Sequence, residues 1–94
     1  MFYTYVLKSL KDNLLYTGST NDLQRRFKEH NDGLNESTRH RRPFILLYYE
    51  ACLDEKDARV REKYLKTGMG KKYLVNRMRS YLTKNCGNII TTLN

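Results

Sequence analysis

Ninety-four residues with 39% hydrophobic and 30% charged side chains suffice for one domain with its own core and are too few for two. One Pro and five Gly exclude collagen-like and low-complexity chains, and no run of about 18 apolar residues is there to span a membrane. The formal charge of +8 sets 18 Lys and Arg against 10 Asp and Glu, a balance that favours a polyanionic partner, nucleic acid ahead of anionic lipid.

Phe2 to Ser9 is rich in aromatic and β-branched residues and reads as a strand. Its start has no leading charge and no long apolar stretch, so it is not expected to be a signal peptide. Asp12-Asn13 signals a turn, and Leu14 to Ser19 reads as the returning strand of a hairpin. A two-residue turn would set Tyr16 opposite Ser9, on the same side of the sheet as Tyr5 but roughly 13 Å along the strand from it. A slip of one paired step would close that gap and keep both tyrosines on one face. Thr20, Asn21 and Asp22 offer a helix cap. Leu23, Phe27 and His30 follow at helical spacing, and Gly33 ends the helix. Leu34 to Arg42 is polar and basic and reads as a loop. Pro43 precedes Phe44 to Tyr49, a buried strand by composition.

Asp54 can cap a second helix that runs to Lys66 and stops at Gly68. A third helix is expected from Lys71 to Leu82, with Leu74, Val75, Met78, Tyr81 and Leu82 on one face. From Asn85 onward there is no charge and no helical period. Residues 1–83 thus read as the domain and 84–94 as a tail. The order β-β-α-β-α-α implies an α+β fold, a small three-stranded antiparallel sheet flanked by helices. Cys52 and Cys86, with His30 and His40, match no zinc spacing, so the thiols read as reduced and the protein as cytoplasmic.

Positive charge is concentrated. Between Arg61 and Lys84 eight basic residues stand against one acid, Glu62. Lys71, Lys72 and Arg77 from that run, and Arg39, Arg41 and Arg42 from the loop, are the candidate phosphate contacts. On the first helix Arg26 and His30 stand one turn apart beside the apolar stripe, where packing residues are expected. Taken alone they read as a snorkelling Arg and a satisfied, partly buried His. Glu62 interrupts the face defined by Ala58 and Leu65. A surface ion pair with Arg59 or Lys66 is the plain explanation. A carboxylate within a phosphate-binding surface can also hold Mg²⁺ or Mn²⁺, which commonly take one or two carboxylates plus phosphate oxygens.

Tyr3-Thr4-Tyr5, then Tyr16-Thr17-Gly18, then Arg26 and His30, then Glu62 within Ala58 to Lys66, form an ordered set that resembles the GIY-YIG nuclease domain. The likeness covers about residues 2 to 82. It is greatest to small stand-alone bacterial members and extends to the catalytic domain of the excision-repair endonuclease C subunit and to Slx-type nucleases. The resemblance implies phosphodiester hydrolysis with one divalent metal, on nucleic acid and by preference DNA, in repair or recombination. It makes Tyr5 and Tyr16 the motif tyrosines, one of them helping to deprotonate the attacking water. Arg26 would stabilise charge on the phosphate, His30 would assist proton transfer or hold the nucleophile, and Glu62 would ligate the metal. Gly18 would allow close backbone approach. On this reading Arg26 and Glu62 should share one face of the sheet, and a placement on opposite faces would count against a shared site.

Departures from the family pattern are specific. The middle of both triplets is Thr, Ser19 stands where many members carry Lys, and Asn76 is the candidate for a late Asn although it falls off the third helix's apolar stripe. These 94 residues leave no room for a DNA-targeting domain beside this one, so a protein partner or self-association is expected to supply targeting. The alternative to an enzyme is a basic nucleic-acid-binding module that keeps the nuclease fold without cleaving.

Overall fold

A computed structural model describes residues 1–85. Its order is β1 (Phe2–Ser9), β2 (Leu15–Thr20), α1 (Leu23–Asp32), a short 3₁₀ turn (Arg39–Arg41), β3 (Phe44–Cys52), α2 (Glu55–Leu65), α3 (Gly68–Arg77) and α4 (Arg79–Asn85). The fold is α+β, and the sheet is three-stranded and antiparallel in the order β2-β1-β3. Among the described residues no helix is long and apolar enough to cross a membrane. Cys86 and most of the expected tail lie outside the described residues; Cys52 is a free thiol.

β1 is central because its side chains are apolar or satisfied on both faces. Tyr5 and Leu7 pack with Phe44 under α1, beside Leu23 and Phe27. Val6 packs on the other face with Leu65 of α2, Leu74 and Val75 of α3, Met78 and Leu82. The alternation is the period-2 rule of a strand covered on both sides. Thr4 satisfies its buried hydroxyl by donating to the Ala58 carbonyl of α2 at 2.9 Å.

The hairpin differs from the two-residue turn expected. Tyr5 pairs with Gly18 and Leu7 with Tyr16, one paired step from the expected register. Four residues, Leu10 to Asn13, make the connection. Ser9 Oγ accepts the Lys11 and Asp12 amides, both at 3.1 Å, and Asn13 takes φ 63°, a left-handed conformation that Asn tolerates. This slip is what brings the two tyrosines together.

The cap residues act as the sequence suggests. Asp22 accepts from the Arg25 amide at the start of α1, and Gly33 closes that helix at φ 80°. Asp54 caps α2. The expected third helix is instead two. Thr67 caps α3, which begins at Gly68 rather than Lys71, and at Met78 the backbone leaves helical geometry (φ −107°, ψ 18°) before α4. Met78 and Leu82 stay buried across the break, so the apolar stripe persists although the axis does not.

Candidate active site

Gly18 decides the shape of the site. A Cβ placed there would lie 2.6 Å from Tyr5 Oη and 2.7 Å from its Cζ. The Tyr5 ring therefore lies over the β2 backbone, and its phenol reaches the free edge of the sheet. Tyr16, two residues earlier on the same face, stands with its ring centroid 6.3 Å from that of Tyr5 and 5.0 Å from that of His30. α1 delivers Arg26 and His30 to this group from above, because one helical turn separates them.

Tyr5 Oη is 2.9 Å from His30 Nε2, and His30 Nδ1 is 2.9 Å from Thr38 Oγ1. Thr38 also contacts the Asn35 carbonyl, at 3.5 Å, which takes the Thr38 proton. Thr38 then accepts from His30 Nδ1–H, and His30 Nε2 accepts from the Tyr5 hydroxyl. The imidazole has no exposed surface. Burial, with the Arg26 charge beside it, pushes His30 down to about 4, so it is neutral.

Tyr5 is pushed up to about 12, chiefly by burial, against a hydrogen bond from Arg26 and with Tyr16 and Glu62 adding negative potential. Burial opposes the charge on Arg26, but its contacts with Tyr5 and Glu29 outweigh that and raise its pKa. Arg26 Nη1 lies 3.1 Å from Glu29 Oε1 and stays partly exposed, so its charge can meet an anion.

Glu62 comes from the other side. Its Oε1 accepts from Ser19 Oγ and its Oε2 from Lys66 Nζ, each at 2.8 Å, with 23% of the side chain exposed. The expectation of a common face is corrected here: α1 and α2 cover opposite faces, so Arg26 and Glu62 approach the sheet from opposite sides. At the edge strand both nevertheless lie near the Tyr5 phenol. Gly18 leaves the Tyr5 phenol at that edge, Ser19 next to it holds Glu62, and the phenol senses the charge of both Arg26 and Glu62. Among the described residues no three His, Cys, Asp or Glu converge. Both Glu62 oxygens are engaged, so a hard cation held here would take the place of Lys66 at Oε2 and fill its remaining positions with water and phosphate oxygens.

The basic candidates divide. Arg39 and Arg42 are exposed. Arg41 is built into the fold: its Nε is 2.8 Å from Asp12 Oδ2, its guanidinium lies 5.8 Å from the Phe44 ring centroid, and its carbonyl accepts from Ser9 Oγ at 2.5 Å. Lys72 and Arg77 are exposed and Lys71 half-buried, on α3 and thus on the Glu62 side of the sheet. Asn76 accepts from Arg79. Sequence reasoning missed Thr38, which stands eight residues from His30 in a polar loop with nothing to single it out. Ser19 was visible only as a departure, not as the partner of Glu62.

At the β2 edge two tyrosines, an arginine and a histidine of one face of the sheet thus stand near a carboxylate of the other. The GIY-YIG catalytic domain family matches residues 1–74, and the chain belongs to that nuclease family. It is 46% identical over 67 residues to the UPF0213 protein CPE1444 of Clostridium perfringens, covering 70% of this chain and 71% of that one. Over 71 residues it is 45% identical to a UPF0213 protein of Bacillus pumilus, covering 74% and 71%. With the UPF0213 protein YazA of Bacillus subtilis it shares 43% over 65 residues, 68% and 65% of the two chains. No solved structure gave a significant match.

Proposed function

We propose that the protein is a metal-dependent endonuclease that hydrolyses phosphodiester bonds in nucleic acid, by preference DNA, in the cytoplasm and in the service of repair or recombination. The observation that carries this reading is the Tyr5 phenol, which stands under the influence of Arg26, His30 and Tyr16 on one side and Glu62 on the other. Family membership and the +8 charge support the substrate class.

Arg26 binds the scissile phosphate and gains strength as that group becomes more negative. A phenol pushed up to about 12 is a poor base at neutral pH, so Tyr5 orients the nucleophile through a hydrogen bond while neutral His30 anchors its hydroxyl. Tyr16, less buried and packed against both, takes the role of assisting proton removal from the attacking water. Glu62 would hold Mg²⁺ or Mn²⁺, which supplies charge stabilisation at the leaving oxygen. Ser19 fixes the Glu62 rotamer, and Lys66, on an exposed tether, balances its charge.

Glu62→Gln tests this reading. The carboxamide keeps the size and can still accept from Ser19, so folding and nucleic-acid binding should persist while cleavage under limiting Mg²⁺ falls below detection. Supercoiled, single-stranded, flapped and branched substrates, each with and without metal, form the panel. Cleavage by Glu62→Gln at the wild-type rate would remove the metal assignment. Salt-dependent retention of every substrate with no cleavage by the wild type would make the protein a binding module.

A further inference from the structure

Next to the Tyr5 cluster, on the α1 face, lies a cleft of about 490 Å³ lined by Tyr3, Asn21, Gln24, Phe27, Leu46 and Tyr49, with Asp22 at its rim. Its position is fixed by the sheet. Tyr49 is the cross-strand partner of Tyr5, one strand spacing away, and Tyr3 lies two residues along β1 on the same face. The rings of Tyr3 and Tyr49 meet edge to face with centroids 6.0 Å apart, and Tyr49 is 52% exposed. The cleft thus lies beside Tyr5 on the α1 face, on the β3 side of β1, and presents aromatic surface to solvent.

Its charge sets it apart from the rest of the molecule. In a chain of net charge +8, no Lys or Arg among the described residues lines this cleft, Asp22 is its one carboxylate, and the neighbouring Arg25 guanidinium donates to Asn21 Oδ1 at 3.2 Å. A phosphate would find no cation in the lining. A flat neutral ring would lie against tyrosine, and the amides of Asn21 and Gln24 offer donors and acceptors to its edge. We propose that the cleft is a stacking subsite for one nucleobase displaced from its helical stack, adjacent to the phosphate held at Arg26. This assignment rests on the nucleic-acid reading above and adds that the protein engages an unpaired nucleotide beside the cleavage point.

The test uses the full chain in the presence of a chelator and a short duplex with a single 2-aminopurine, placed in a bulge or fully paired. Binding should quench the bulged base and leave the paired one unchanged. Tyr49→Thr keeps a strand-forming residue at a half-exposed position, so its thermal melt should match the wild type. It should lose the quench and bind the bulged duplex about fivefold more weakly or worse, while affinity for the paired duplex changes less than about twofold. Tyr49→Trp should retain both quench and affinity. An unchanged quench and affinity in Tyr49→Thr would overturn the subsite and leave the nucleic-acid reading standing. Failure of the wild type to bind either duplex would overturn both.

Discussion

At the residue scale the chemistry turns on which groups are free to act. Tyr5 and His30 are hydrogen-bonded to each other and Thr38 closes the chain, which fixes the phenol proposed to orient the nucleophile. Arg26 keeps a partly exposed guanidinium. Arg26→Ala should therefore cost turnover by ~10²-fold or more, with a smaller change in binding and a nearly unchanged melt. Single-turnover rates beside thermal melts check this, and a variant that loses stability yet keeps its rate per folded molecule would make Arg26 a packing residue. His30 carries a pH signature as well. Its folded pKa, about 4, lies below the ordinary 6.5, so the unfolded chain takes up the proton first. The stability it confers is fully present above pH 6.5 and drains away as pH falls toward 4. His30→Gln should flatten that part of the stability profile; an equally steep fall of melting temperature in the variant would assign the slope to other groups.

At the element scale the loop between α1 and β3 does two jobs that one run of basic letters conceals. Arg41 clamps it to the hairpin through Asp12, whose carboxyl that guanidinium holds down at about 2. Arg39 and Arg42 are exposed, with Arg42 Nε donating to the Arg39 carbonyl at 2.7 Å. Neutralising Arg39 and Arg42 together should flatten the salt dependence of duplex binding by ~0.9 per lost contact and spare the melt. Arg41→Gln should lower the melting temperature with little change in that slope. Binding isotherms across a salt series separate the two, and equal slopes in all variants would take the loop off the binding surface. The sequence could not distinguish the three arginines, because the difference is a partner 29 positions away. The same limit applies elsewhere. Caps and apolar periods are local, so Asp22, Gly33 and Asp54 mark helix ends correctly. The hairpin register depends on one Ser hydroxyl and one left-handed Asn, and the break at Met78 leaves the apolar stripe intact, so neither shows in the pattern. The Tyr5, Tyr16, Arg26 and His30 group was legible because it is built on one hairpin and the helix that follows. That Glu62 reaches it from the opposite face was not, since this follows from an edge strand with a glycine at the crossing.

At the scale of the whole molecule, two half-cores lie on either side of β1, and the candidate site is complete only where they meet at the β2 edge. The α1 side is tied down by Asn31, whose side-chain amide donates to the Phe44 carbonyl at 3.1 Å and accepts from the Phe44 amide at 2.7 Å. The Glu62 side depends on how α2 seats against α3, and Gly70 sits at that corner. A Cβ there would drive into the Tyr64 carbonyl and come within 2.5 Å of Leu65 Cα, backbone atoms that cannot swing aside. Gly68, two residues earlier in α3, has nothing within 4 Å of the same point. Gly70→Ala should then destabilise by about 1–3 kcal/mol. It should also lower cleavage per folded molecule, because α2 must shift and carries Glu62 with it. Gly68→Ala adds a helix-favouring residue in open space at the first position of α3 and should stabilise by a few tenths of a kcal/mol with activity unchanged. Denaturant melts combined with cleavage rates corrected for the folded fraction measure both effects. If Gly70→Ala proved as stable and as active as the wild type, the α2–α3 corner would not be what holds Glu62 at the sheet edge.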